Sequence, residues 1–230
     1  MPYYDVIIPS TGHKTRFRPY LVREEKILLI ALETSDQDQI TKATMDMLSA
    51  CIENGIDTST LTLFDAEYLF LKIRSKSVGE KIELTYPCME CEEENDFVVN
   101  LDDVKVSSQD EAARTIVIND DVSVKMRYMS YVEINNNPKL VEPGSIAEFI
   151  FESVVGSLYS VDTEEESMLV KDEPIEDVIH FLESLTTEQF AKLRDFVEDA
   201  PIVKADLSFE CKKCKATNEF TLRGLDDFFG

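Results

Sequence analysis

Two Cys-x-x-Cys pairs, Cys88 with Cys91 and Cys211 with Cys214, are the residues of this sequence best suited to a chemical role. Four thiolates make up the complete ligand set of a tetrahedral Zn²⁺ site. Because all four positions are cysteine, no ligand position is left for the water molecule that a catalytic zinc usually keeps. The two pairs therefore predict one closed, structural zinc site.

Two other uses of paired cysteines compete with zinc binding. A disulfide within a Cys-x-x-Cys turn is strained, and nothing at the N-terminus resembles a secretory signal. A redox pair usually lies in a thioredoxin-like βαβ unit, which the sequence around neither pair suggests. Zinc is favoured, while disulfide or redox chemistry and a vestigial site remain open.

Short segments of β character flank each cysteine pair. Strands are predicted over residues 80–86 and 96–101 around the first pair, and over 205–210 and 218–222 around the second. A hairpin turn places both of its sulfurs on one side, so two facing hairpins would form a zinc ribbon. The pairs lie about 120 residues apart, so the metal would join the middle of the chain to its C-terminus. Acidic residues 92–94 and the lysines at 212, 213 and 215 are expected to assist this closure only slightly.

Composition limits the class of protein. The chain has 230 residues, 43% of them hydrophobic, which is typical of a globular protein. Asp and Glu number 46 against 23 Lys and Arg, and the net charge of -23 argues against nucleic-acid binding, which needs clustered cations. No apolar run approaches the roughly 18 residues of a membrane span. We expect a soluble, intracellular protein in a reducing compartment.

The remaining segments predict an α+β fold of mixed helices and antiparallel β-ribbons. Residues 4–18 suggest two short strands around a turn, and the continuous apolar run in 19–33 suggests a buried strand. Helices are expected over 36–53 (capped by Ser35 and ended by Asn54-Gly55), 63–76, 145–157, from Pro174 onward, and 187–197 with a capping box from Thr186 to Gln189. A second β-ribbon is expected over 115–118 and 122–128, and residues 161–167 form the most acidic predicted loop. We interpret that loop as a solvated connector, and a docking patch for a basic partner remains an alternative.

These elements suggest four regions along the chain. The first is an N-terminal α/β region over residues 1–79, followed by the split zinc-ribbon module over 80–110 and 201–224. A β-ribbon plus helical region occupies 111–200, and a C-terminal tail covers 225–230.

No catalytic constellation is evident in the sequence. The phosphate-binding and nucleophile-elbow glycine motifs do not occur. His13 and His180 are the two histidines, and the sequence around each favours a structural or solvent-exposed role over a catalytic one. Cys51 lies on the apolar face of a predicted helix and is expected to be a buried, inert thiol. The sequence therefore predicts a protein that is not an enzyme.

Four segments carry a resemblance to a known family. They are the start from Tyr4 to Gly12, the Tyr86-Pro87-Cys88-x-x-Cys91 turn, the Cys211-x-x-Cys214 turn, and the Leu225-x-x-Phe228-Phe229 ending. Together with the acidic α/β body, they make the chain similar to the T4-type baseplate hub assembly proteins of contractile-tailed bacteriophages. None of these segments is a catalytic signature.

The resemblance implies a non-enzymatic protein needed to build the tail hub, with the tape measure protein among its expected partners as the client of a chaperone. It implies a location in the host cytoplasm during assembly, and it leaves open whether the protein remains in the virion tail baseplate. Leu225, Phe228 and Phe229 form a small apolar cluster that either anchors a partner or folds back on the ribbon. From another class, an acidic zinc-ribbon regulator of the host transcription machinery remains an alternative.

Overall fold

The structure, a computed structural model, describes residues 2–34, 36–53, 56–107 and 114–229. Its strands are β1 (Tyr4–Ile7), β2 (Lys14–Phe17), β3 (Lys81–Pro87), β4 (Glu94–Asn100), β5 (Lys105–Val106), β6 (Thr115–Val117), β7 (Val122–Met126), β8 (Leu158–Thr163), β9 (Ser167–Leu169), β10 (Val203–Glu210) and β11 (Thr217–Arg223). Its helices are α1 (Val22–Thr34), α2 (Gln37–Cys51), α3 (Leu63–Ser77), α4 (Tyr131–Asn135), α5 (Pro138–Val141), α6 (Ile146–Ser157), α7 (Ile175–Ser184), α8 (Thr187–Glu198) and α9 (Asp226–Phe229). The strand pairs of the described residues are antiparallel, which confirms the predicted α+β class.

The chain divides into two compact units. The first unit combines Met1–Ser107 with Ile202–Gly230, and the second is Ser108–Pro201, inserted between those two parts. At the insertion point β5 pairs with β10. Ser107 donates its backbone N–H to the Ile202 carbonyl at 2.9 Å and accepts from the Ile202 N–H through its hydroxyl at 3.0 Å. The chain therefore leaves the first unit and re-enters it at one place. The finer division of this unit into an N-terminal region, a split ribbon and a tail stays a prediction.

Helix α3 supplies much of the buried surface of the first unit. It begins with a capping box, in which the Thr62 hydroxyl accepts from the Asp65 N–H and the Asp65 carboxylate accepts from the Thr62 N–H. The wholly buried Asp65 also accepts from the Ser10 N–H at 2.9 Å, which ties the β1–β2 turn to this helix. Its apolar side chains that are fully shielded from solvent are Leu69, Leu71 and Ile73.

The predicted buried strand over residues 19–33 is wrong, because this segment is the helix α1. Leucine, alanine, glutamate and lysine are strong helix formers, and they fill most of the segment. Glu24 fixes the start of the helix: its carboxylate accepts from the Leu21 N–H at 2.8 Å and pairs with Arg18 and Arg23. Burial alone would raise the pKa of this carboxyl, but these hydrogen bonds outweigh it and hold the pKa at about 2. For the secondary structure of this segment, helix propensity was therefore a better predictor than the continuous run of apolar residues.

Helix α2 is confirmed over most of its predicted length, with Asp36 as its N-cap. The predicted cap Ser35 and the predicted terminator Asn54-Gly55 lie outside the described residues. Cys51 is 1% exposed, as expected for an inert core thiol. Its burial raises the pKa of the thiol to about 11.

The second unit is a four-stranded antiparallel sheet, in the order β6-β7-β8-β9, packed with helices. Its core consists of Ile118, Val124, Met126, Val154, Leu158, Val178, Leu182, Leu193 and Phe196. Ser145 and Thr186 are the N-caps of α6 and α8, and Thr186 forms the predicted capping box with Gln189. Helix α7 is confirmed after Pro174, and it buries Val178 and Leu182, whereas Ile175 is 52% exposed.

The acidic loop predicted over residues 161–167 is mostly strand. Thr163 ends β8 and Ser167 begins β9, so only the turn between them remains a loop. The three glutamates of the segment, residues 164–166, lie in this turn. Asp162 is the one acidic residue within the two strands, and it lies 3.5 Å from Lys125 on the neighbouring strand β7.

Candidate metal centre

Two β-hairpins carry the four cysteines, as predicted. Strands β3 and β4 pair from Lys81↔Asn100 to Pro87↔Glu94, and β10 and β11 pair from Lys204↔Arg223 to Glu210↔Thr217. In each hairpin the first strand thus ends immediately before the first cysteine of the pair. The register places the two Cys-x-x-Cys turns at equivalent points on their hairpins.

The two turns have the same backbone hydrogen bonds. The Cys88 N–H donates to the Glu93 carbonyl, and the Cys211 N–H donates to the Ala216 carbonyl, both at 2.9 Å. The fifth residue of each turn is left-handed, with φ of 58° at Glu92 and 62° at Lys215. This backbone bend turns both sulfurs of a pair inward without a glycine.

The four sulfurs converge on one point. Cys88 Sγ lies 3.6 Å from Cys214 Sγ, Cys91 Sγ lies 3.7 Å from Cys211 Sγ, and all four lie within 4.8 Å of one another. These are free thiols, because an S–S bond is about 2.05 Å long. A tetrahedral ion with metal–sulfur bonds of about 2.3 Å has sulfur–sulfur edges of roughly 3.8 Å. The arrangement therefore fits a tetrahedral metal ion.

Hydrogen bonds prepare two of the sulfurs to act as thiolates. Backbone N–H groups of Cys214 and Lys213 lower the pKa of the Cys211 thiol to about 6. Backbone bonds from Glu90 and Cys91 likewise lower the pKa of Cys88. At Cys214 a bond from the Ala216 backbone favours the thiolate, yet the neighbouring sulfurs prevail and raise the pKa to about 12. Four adjacent thiolates repel one another, so full ionisation of the set requires a cation among them.

Two buried asparagines join the hairpins around the sulfurs. Asn95, on β4, accepts from the Lys212 N–H at 2.8 Å and donates its amide to Cys211 Sγ at 3.7 Å. Asn218, on β11, accepts from the Met89 N–H at 2.9 Å and donates to Cys88 Sγ at 3.5 Å. Each asparagine therefore holds the cysteine turn of the opposite hairpin, and each is no more than 4% exposed.

Sequence reasoning missed these two asparagines, although the sequence contains the signal. Asn95 lies seven positions after Cys88, and Asn218 lies seven positions after Cys211. The wider segments KIELTYPCMEC and KADLSFECKKC also match in residue type. The two segments therefore form an internal repeat, and the asparagines at its equivalent positions were overlooked.

A layer of aromatic rings lies on the strands that lead to the turns. Tyr86 stacks on Phe220 with centroids 4.8 Å apart, and Phe97 stacks on Phe209 at 5.6 Å. Phe97 and Phe220 also meet edge-on at 5.3 Å. Both hairpins contribute two rings, so the hairpins have an apolar contact that does not depend on the metal.

The expected charge pairing across the hairpins occurs at one glutamate. Glu93 lies 3.7 Å from Lys212 and 3.3 Å from Lys213. Lys215 instead pairs with Glu210 on its own hairpin at 3.5 Å. The lysine side chains are more than half exposed, so solvent screens these pairs and they contribute little to stability.

The C-terminal residues fold back onto the first unit. Phe228 is 1% exposed, and Leu225 is partly exposed, with its N–H donated to Glu67 at 3.3 Å. The Phe229 side chain lies outside the described part of the structure. Burial of Phe228 favours the interpretation in which the tail packs against its own unit. An anchoring role for Leu225, Phe228 and Phe229 stays a prediction.

Other side chains that could take part in metal binding or catalysis are dispersed. Within the described residues, the four cysteines are the one group of three or more His, Cys, Asp or Glu side chains arranged to hold a metal. His13 is exposed on the first unit and His180 is exposed on the second. Among the described helices, none has the length and apolar character needed to cross a membrane.

Fold and site together define an α+β protein in which two hairpins, distant in sequence, bring four cysteines into the geometry of a tetrahedral metal site. Residues 1–230 match the family model described as T4 bacteriophage base plate protein, and the chain belongs to this family. Searches of curated proteins and of solved structures gave no match. Membership supports a baseplate-related structural or assembly role, a location in the virion tail, and interaction with other phage tail proteins.

Proposed function

We propose that this protein is a non-enzymatic assembly factor or structural component of the baseplate hub in a contractile phage tail, and that it acts by binding other tail proteins. The observation that carries this proposal is the family match over the whole chain. The net charge of -23 and the dispersed histidines agree with a role in protein–protein assembly. The tape measure protein is the first partner to test, with this protein as its chaperone.

The ion that we propose for the four-cysteine centre is Zn²⁺. A tetrahedral set of four sulfurs is typical of zinc or of iron–sulfur chemistry, and a single-ion pocket with sulfur–sulfur distances near 3.7 Å fits zinc. The centre is closed, since all four ligands come from the protein. Its role is structural: it joins two hairpins between which the chain has inserted the whole second unit.

Phage genetics tests the assembly role. A phage that lacks the gene is expected to produce few complete baseplates by electron microscopy, and a plasmid copy should restore them. Normal baseplates without the gene would refute the proposal. Mass spectrometry of purified virions then separates a component, which is present in particles, from an assembly factor, which is absent. Co-expression with the tape measure protein, followed by co-purification, tests that partner directly.

Asn95→Asp and Asn218→Asp are expected to weaken zinc binding by about 10- to 100-fold, because supporting hydrogen bonds to metal ligands have effects of this size. Each change keeps the oxygen that accepts from the opposite turn, but it replaces the amide donor facing a sulfur with a negative charge. Competition with a chromophoric chelator measures the affinity. Asn136→Asp, an exposed change of equal charge on the second unit, is the control. Equal zinc affinity in all three variants would contradict the role given to the two asparagines.

A further inference from the structure

Helix α1 exposes far more apolar side chain than a helix in contact with water usually does. Its large apolar residues and their exposed fractions are Val22 79%, Ile27 52%, Leu29 56%, Ile30 50% and Leu32 57%. Only Glu24 and Ala31 are buried. A helix that is apolar around its circumference is normally covered on all sides, and contiguous exposed apolar surface marks an interaction site.

We propose that α1 is the docking surface for a helix of another protein, and that this partner helix carries an apolar stripe flanked by basic residues. The inference locates a binding surface on the first unit. It depends on neither the metal centre nor the baseplate role.

The spacing of the exposed residues suits a helical partner. Leu29 and Leu32 are three positions apart and Val22 is seven before Leu29, so these residues follow one side of the helix. Ile27 and Ile30 form a second row of the same spacing on the opposite flank. Rows at these spacings are the ridges that pack into the grooves of another helix. With thirteen residues, α1 offers about 20 Å of contact length.

Local charge identifies the partner as basic. Glu25 and Glu33 lie four positions before and after Leu29, so carboxylates flank the leucine row at both ends. Two exposed acidic residues, Asp36 and Asp38, follow directly where the chain enters α2. Arg23 is already paired with Glu24 at 2.8 Å. The exposed Lys26 is the other cation on the helix, and the four acidic residues outnumber it. Lysine or arginine beside the partner's apolar stripe would therefore meet opposite charge.

Net charge also disfavours a second copy of this chain as the occupant. Each chain carries -23, so two copies that meet through their acid-flanked helices repel one another. An apolar helix with basic flanks buries the same surface and gains attraction instead of repulsion. The charge balance therefore favours a heterologous partner over a homodimer.

The test uses the full chain and a fluorescein-labelled model helix of eighteen residues, with leucines at i, i+3, i+4 and i+7 spacing and lysines elsewhere. Fluorescence anisotropy measures binding, and about 0.3 M NaCl in the buffer screens non-specific attraction to the acidic surface. We expect Leu29→Ser/Leu32→Ser, which leaves net charge unchanged, to weaken binding at least about tenfold, since two apolar contacts are lost. The control Val117→Ser/Ile175→Ser removes two comparably exposed apolar residues from the second unit and should bind like the wild type.

Two further measurements separate the parts of the proposal. Replacing every lysine of the model helix by glutamate should weaken binding at least about tenfold, and Glu25→Gln/Glu33→Gln should weaken binding of the lysine helix without affecting folding. Equal binding by wild type and by Leu29→Ser/Leu32→Ser overturns α1 as the docking surface. Equal binding of the lysine and glutamate helices overturns the basic partner. Light scattering that shows a dimer, dissolved by the two serine substitutions, overturns the heterologous partner in favour of self-association.

Discussion

Cys211→Ser is expected to abolish stoichiometric zinc binding and to lower the free energy of unfolding by several kcal/mol. Structural zinc contributes ~10 kcal/mol or more in small peptides, and a domain that has its own core depends on it less. Here the aromatic stacking between the hairpins remains when the ion is lost, so the first unit should loosen without unfolding completely. Metal analysis should give one zinc per wild-type chain and less than half an equivalent in the variant.

Hydrogen exchange locates the expected change. Amides of β3, β4, β10 and β11 should lose protection in Cys211→Ser or after chelation, while the core helices of the second unit provide an internal reference. Cys51→Ser is the matched control, because this cysteine lies outside the cluster and its substitution should leave the zinc content unchanged. If a chelator strips the metal and leaves the melting temperature and the proteolysis pattern of the wild type unaltered, the site is not structural.

Phe228→Ala is expected to cost about 3–5 kcal/mol of unfolding free energy, the usual range when a buried phenylalanine is truncated. The ring is 1% exposed, so its removal leaves a cavity, and water does not replace the packing contacts that are lost. Urea denaturation of the variant measures the loss. Phe149→Ala, at a ring that is 42% exposed on α6, should cost much less.

The same variant separates the two interpretations of the C-terminal tail. If Phe228 packs within its own unit, both stability and partner binding fall together. Full stability combined with weaker binding to co-expressed tail proteins would instead support the partner anchor formed by Leu225, Phe228 and Phe229. Burial of Phe228 leads us to expect the first result.

Local signals in the sequence were sufficient for several elements and for the choice of the four cysteines that come together. The Cys-x-x-Cys spacing and its flanking β residues predicted both hairpins, because a turn and its two strands are neighbours in the chain. Helix α8 was predicted from a capping box at Thr186 and Gln189, an interaction that spans three residues. Features of this kind depend on a few adjacent side chains and need no knowledge of distant contacts.

Other features depended on contacts between distant parts of the chain. The run from Pro19 to Glu33 was expected to be buried because it is apolar, yet whether a helix is covered depends on which elements pack against it. Strand β8 was not predicted, since the strand that supports it, β7, lies more than thirty residues earlier in the chain.

The sequence by itself determined which four residues are the candidate metal ligands, since thiol chemistry and turn spacing are local properties. Only the tertiary structure decided how the two pairs meet. Asn95 and Asn218 bond across the hairpins to residues more than a hundred positions away, and the stacking of Tyr86 on Phe220 joins equally distant segments. These contacts require the two ends of the inserted segment, at Ser107 and Ile202, to lie side by side. No local sequence pattern predicts that pairing.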